Sequence, residues 1–297
     1  MNRDRIVMEN RNRGWKKVLL FVLPYAFIAG IFQLIGMIIA GVDTQDMYYP
    51  YSSGQKLLVG AFDCMGTFLV LWIFMRFVDK EKFIHLGFSV KNRFREVILG
   101  IGIGALILGG GFLVLLAQNE IRWERILFDS HELLISLGLY LIVALVEETL
   151  FRGYVLRNLM GSFNKYLALV VSSILFAAMH GFNPNLNLWG LLNLFLAGLL
   201  LGMPYIYSKN LWFPIAMHFS WNFFQTHLGF NVSGQDSYSI VEFSIPEGNL
   251  FNGGAFGFEG SILAVVAQIV AVLLVWQYYC KRERSRTMLS ESLPANP

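Results

Sequence analysis

Two adjacent glutamates and an arginine, Glu147, Glu148 and Arg152 in VEETLFR, directly follow the apolar run LLISLGLYLIVALV. Charges at the end of such a run suit two chemistries. One is a structural ion-pair cluster; the other is an acid–base site in which one carboxylate moves a proton. Helical geometry separates the two glutamates. At about 100° per residue, Glu148 and Arg152 project within roughly 40° of each other, while Glu147 stands about 140° from Arg152. Arg152 is therefore expected to neutralise Glu148 along the helix, and Glu147 becomes the candidate reactive group.

Two further pairs share the four-residue spacing that places side chains on one helix face. Phe176 and His180 lie in FAAMH, and His218 and Asn222 lie in HFSWN. His218 and Asn222 together could donate hydrogen bonds to a developing oxyanion. A lone histidine in an apolar helix is more often a packing residue, but His180 has depth in its favour. Glu147 lies about 15 residues before the short connection at 161–164 and His180 about 18 after it. At a rise of 1.5 Å they stand roughly 23 and 27 Å from that turn and can meet across the hairpin. His218 is only about 12 Å from its own turn near Lys209 and Asn210, so the fourth and fifth helices must protrude or tilt if all three pairs are to converge. His227 projects about 180° from His218 and is read as an interface residue. His85 and His131 fall in loops, and Asp63 stands alone in the second apolar run.

The elements that must position these residues are membrane helices. Of 297 residues, 56% are hydrophobic and only 14% charged, with a mean hydropathy of +0.54, which points to a polytopic membrane protein. Eight runs could span a bilayer, near 16–41, 57–78, 97–118, 132–157, 165–182, 187–207, 211–230 and 261–280, since a span takes about 20 residues. The expected fold is an all-α bundle of about eight transmembrane helices forming one integral membrane domain over 1–297. It has a motif-bearing core at 130–230, a glycine-rich extracytoplasmic loop at 231–260 and a short disordered tail at 285–297. All but three of the 23 Lys and Arg residues fall on one set of loops and termini, leaving Lys56, Arg122 and Arg125 for the other side. By the positive-inside rule both termini are cytoplasmic, and the expected location is a bacterial plasma membrane.

Several functions are disfavoured. No basic face interleaved with aromatics suggests nucleic acid. Gly100 and Gly104 in GIGIGALILGGG have the spacing of close helix packing, and no strand precedes them as a nucleotide loop would need. Cys64 and Cys280 form no CxxC and read as reduced packing residues. FNGGAFGFEGS, 251–261, could be a re-entrant lid, but a plain mobile loop is preferred. No internal repeat supports an inverted-repeat transporter.

Taken in order, EExxxR (Glu147, Glu148, Arg152), FxxxH (Phe176, His180) and HxxxN (His218, Asn222) resemble the CPBP family of intramembrane proteases, which includes the CAAX prenyl endopeptidase and bacteriocin-processing or Abi-like immunity proteins. The resemblance covers roughly 130–230. It implies hydrolysis of peptide bonds within or beside the lipid bilayer, in peptide or protein substrates that are plain or lipidated. Glu147 and His180 would activate a water, His218 and Asn222 would polarise the scissile carbonyl, and Glu148, Arg152 and Phe176 would support the site. The family is described both as metallo- and as glutamate-dependent. HExxH is absent, yet a zinc site could be assembled from Glu147, His180 and His218, so no cofactor is fixed. The competing readings are a proton-coupled transporter and a non-catalytic immunity or signalling partner.

Overall fold

Helices form where the apolar runs fall. The computed structural model describes residues 13–43 and 51–292, and side chains as far as 285. Its long helices are α1 (Gly14–Ile39), α2 (Ser53–Asp79), α3 (Phe94–Ala117), α4 (Ser130–Leu159), α5 (Lys165–Met179), α6 (Leu188–Ser208), α7 (Trp212–His227) and α8 (Ile262–Ser292). Polar caps set several starts. Ser52 and Gln55 close a capping box on α2, and Asp129, Asn164 and Asn187 accept backbone N–H groups at the heads of α4, α5 and α6.

Six of these helices are long and apolar enough to cross a membrane: α1, α2, α3, α4, α6 and α8. The other two of the eight helices are shorter. α5 and α7 have 15 and 16 residues, a rise of roughly 23–24 Å against the ~30 Å hydrocarbon thickness. His180 caps the C-terminus of α5, and α7 carries His218 and Asn222. Large side chains such as Leu23, Leu106 and Leu274 point outward and exposed, as lipid-facing positions must in an integral membrane protein.

Close approach fixes α7 against α3. A Cβ on Gly100 would lie 2.8 Å from the Phe213 carbonyl oxygen, and one on Gly104 would lie 2.5 Å from Ser220 Oγ. The two glycines thus let the backbones meet, as their spacing suggests. α5 docks on α6, with Ser173 against Gly198. Both helix pairs border α4, whose 149–156 stretch widens into π-helix just after the glutamates, a distortion common near functional sites.

Charges sort to the two ends of the bundle. Lys17–Asp79 (2.8 Å), Arg157–Glu81, Lys165–Glu283 (3.0 Å) and Arg93–Glu96 (2.8 Å) cluster at one end. Lys56, Arg122 and Arg125 lie toward the other. Arg3, Arg5 and Arg11 fall outside the described residues. At the sparser end a two-stranded antiparallel ribbon forms, β1 (Arg122–Ile126) against β2 (Val241–Ser244), with Trp123 opposite Phe243 and Ile126 opposite Val241.

The glycine-rich segment departs from the preferred plain loop. It makes two 3-10 turns, Gly254–Phe256 and Phe258–Gly260, and both phenylalanines are buried. Phe258 packs on Phe230 and Trp221 and fills the space left by Gly111; Phe256 lies against Gly190. The tail also differs. α8 continues to Ser292, beyond the expected onset of disorder at 285, because Lys281–Leu289 is rich in helix formers and no proline intervenes before Pro294. Residues 293–297 lie outside the described residues.

Candidate active site

The depth mismatch of His218 is resolved by a covering segment. The Leu211 N–H donates to the Gly87 carbonyl (3.0 Å), the Asn210 side chain to Ser89 O (2.7 Å) and the Tyr205 hydroxyl to Leu86 O (2.9 Å). Leu86 and Leu211 are fully buried. The turn before α7 is therefore inset beneath residues 83–89, and His218 is deeper than its own helix suggests.

Glu148 and Arg152 form the closed side of the site. Glu148 Oε1 accepts from Arg152 Nη1 at 2.6 Å and pairs with His218 Nδ1 at 2.8 Å, with both charged residues about fully buried. Arg152 also reaches the Gly198 carbonyl (3.4 Å), and its guanidinium lies 4.4 Å from the centroid of the Phe176 ring, a cation–π arrangement. Phe176 stands edge-on to Phe151 and to His218. The motif positions thus form one contiguous plug, and the charges are compensated where lipid could not solvate them.

Glu147 faces the other way. It lines a cavity of about 520 Å³ together with His180, His218, Asn222 and Phe176. Among the described residues its Oε2 has no hydrogen-bond partner, and it lies 3.7 Å from His180 Nε2 and 4.0 Å from His218 Nε2. His180 Nδ1 is 2.8 Å from the Phe176 carbonyl oxygen. A carbonyl only accepts, so Nδ1 carries the proton and a neutral ring turns the lone pair of Nε2 toward Glu147. His218 is anchored in the same way, through Nδ1 on the Glu148 carboxylate. Asn222 is buried and its side chain makes no hydrogen bond to a described residue, so its amide is available to the cavity it lines.

The structure therefore brings together all four residues picked for chemistry and all three picked as supports. The remaining histidines stand apart. His227, the last residue of α7, is buried against α4, with Nε2 2.8 Å from Ser136 Oγ. His85 pairs with Glu81 in a loop, and His131 heads α4.

Sequence reasoning gave no role to other polar groups on the same cavity. Asp63 accepts from Gln33 Nε2 (2.9 Å). Glu259, from the glycine-rich segment, accepts from Trp221 Nε1 (3.0 Å) and from the Ser233 N–H and hydroxyl (2.9 Å each). Burial pushes the Glu259 carboxyl above the usual carboxylate range, and the Ser233 and Trp221 hydrogen bonds and nearby His180 oppose the shift. A lone acid in an otherwise apolar, glycine-rich stretch was the available signal.

The geometry bears on the metal. Tetrahedral zinc with ligands at 2.0–2.2 Å holds its donor atoms roughly 3.3–3.6 Å apart. The 3.7 and 4.0 Å separations around Glu147 Oε2 are wider. No group of three or more His, Cys, Asp or Glu among the described residues is set to hold an ion. As arranged here, Glu147, His180 and His218 do not fit zinc.

Residues 129–224 match a family model described as type II CAAX prenyl endopeptidase Rce1-like. No curated protein and no solved structure matches the chain. The matched segment contains Glu147, Glu148, Arg152, Phe176, His180, His218 and Asn222, and it ends before Glu259.

Proposed function

We propose, from the premise that residues 129–224 are an Rce1-like type II CAAX prenyl endopeptidase segment, that this integral membrane protein hydrolyses peptide bonds with a water activated by Glu147 and His180. One observation carries the reading. A buried carboxylate oxygen without a partner faces two anchored imidazoles across a cavity. An oxygen about 2.8 Å from both Glu147 Oε2 and His180 Nε2 fits their 3.7 Å separation. Such a water donates one O–H to each group and keeps a lone pair for attack.

In the reaction, Glu147 takes a proton as the water oxygen bonds to the scissile carbonyl carbon, and the carbonyl π pair moves onto oxygen. The Asn222 amide and His218 Nε2–H donate to that oxyanion. Because His218 Nδ1 already donates to Glu148, this requires a doubly protonated ring. When the C–N bond breaks, Glu147 returns its proton to the departing amine. Glu148, Arg152 and Phe176 hold His218 in place and touch no reacting atom. The substrate is a membrane-associated peptide or protein. The end rich in Lys and Arg is assigned to the cytoplasmic side of a bacterial plasma membrane.

The test is cleavage of quenched fluorescent peptides, prenylated and plain, by purified wild type and Glu147→Gln, with and without chelator. Cleavage that is lost in the variant and resists chelation is expected. Glu147→Gln cleaving at the wild-type rate overturns the role of Glu147, and loss of wild-type cleavage on chelation overturns the metal-free route. The preference between prenylated and plain peptides identifies the substrate class.

A further inference from the structure

Gln268 lies on α8, beyond the matched segment, and is 1% exposed. Among the described residues neither its Oε1 nor its Nε2 has a hydrogen-bond partner. It lines the same cavity as Glu147, His180 and Asn222. More than nine in ten buried polar groups find a partner, and an orphan calls for an explanation. Two other buried amides, Gln225 and Asn193, also leave their oxygens unpaired among the described residues, but each donates through its nitrogen. Gln225, equally buried and off the cavity, sends its Nε2–H to Asn231 O at 2.6 Å. Asn193 ties its amide nitrogen to the carbonyls of Glu259 and Ser261, and Glu259 is held by Trp221 and Ser233. Gln268 differs in that neither end of its amide is paired among the described residues and in that it lines the cavity, which is the available source of a partner.

A primary amide presents a donor and an acceptor side by side, the same pair that a peptide unit presents. We propose that Gln268 binds the main chain of the substrate, exchanging two hydrogen bonds with one peptide unit near the scissile bond. Such contacts set register without selecting side chains, as main-chain pairing does in other modes of peptide recognition. The inference rests on the peptide-hydrolase reading and adds to it a residue that aligns the substrate.

The experiment replaces Gln268 with Leu, in wild type and in the Glu147→Gln background, and uses the fluorescent peptides of the cleavage assay. Gln268→Leu breaks no bond within the protein, so its thermal midpoint should not fall, whereas KM should rise about tenfold with a smaller change in kcat. A peptide series with one amide at a time replaced by an ester sharpens the result. At one position the ester should cost wild type several-fold and Gln268→Leu nothing. An unchanged KM, or the same ester profile in both proteins, overturns the inference, and so does a KM change that merely tracks a lowered midpoint. Peptide affinity of Glu147→Gln with and without Gln268→Leu, read by fluorescence anisotropy, separates the two claims. A tenfold difference supports Gln268 even if Glu147 proves not to be the base. Equal affinity, including none for either, overturns Gln268 whatever the cleavage assay says.

Discussion

Glu147 and Glu148 are neighbours in the chain with opposite surroundings. Glu148 is fully buried and spends one oxygen on Arg152 and His218. Glu147 borders a cavity and turns its Oε2 toward it. The buried face of α4 is a compensated plug and the cavity face a charge held ready. Among the described residues each glutamate leaves its Oε2 without a hydrogen-bond partner, but that of Glu148 is enclosed in the plug while that of Glu147 faces the cavity and two imidazoles. The contrast separates the group that holds the site from the group that reacts.

The largest effect short of the reactive group itself is expected from breaking the plug. Arg152→Ala leaves the Glu148 carboxylate buried with no guanidinium, and loss of one partner of a buried pair costs about 3–5 kcal/mol. Thermal melting in detergent should show a large fall in midpoint. The double variant Glu148→Gln/Arg152→Met removes both charges and should recover much of that stability, yet remain impaired in peptide cleavage because His218 loses the carboxylate charge that stabilises its doubly protonated ring. Recovery of activity along with stability would erase the distinction between the two faces.

A smaller effect should follow from moving α7 bodily. Gly104→Leu places a side chain where Ser220 Oγ would lie 2.5 Å from its Cβ, so α7 must shift together with His218 and Asn222. A displacement near 1 Å costs on the order of 10²-fold in kcat, which steady-state cleavage would detect. The smallest change should come from Phe176→Leu. It removes the ring from the Arg152 guanidinium at 4.4 Å but leaves the backbone carbonyl that anchors His180, so about 1 kcal/mol of stability should be lost and kcat should fall only a few-fold.

Much of this was legible in the chain. Helix positions followed from apolar length, and the Gly100/Gly104 spacing foretold the α3–α7 contact. The i, i+4 offsets placed Glu148 with Arg152 although a π-helical stretch intervenes. Other features were not legible because they are tertiary. The inset turn before α7 depends on Leu86, Gly87 and Ser89, which have no periodic relation to Leu211. The short lengths of α5 and α7 were masked by apolar residues that continue past the helix ends. Burial of Phe256 and Phe258 needs partners from α3, α6 and α7, so a glycine-rich stretch read alone gives a loop. Glu259 and Gln268 are single polar residues whose meaning comes only from the cavity they share with Glu147.

The most direct measurement is the cleavage rate per folded molecule for Glu147→Gln and Glu148→Gln beside wild type, with thermal midpoints from the same preparations. The account predicts that Glu147→Gln keeps its midpoint and loses on the order of 10³-fold in rate. Glu148→Gln should lose midpoint first, with rate following. A Glu147→Gln protein that cleaves at the wild-type rate, or that loses rate only because it no longer folds, would contradict the assignment of Glu147 as the base.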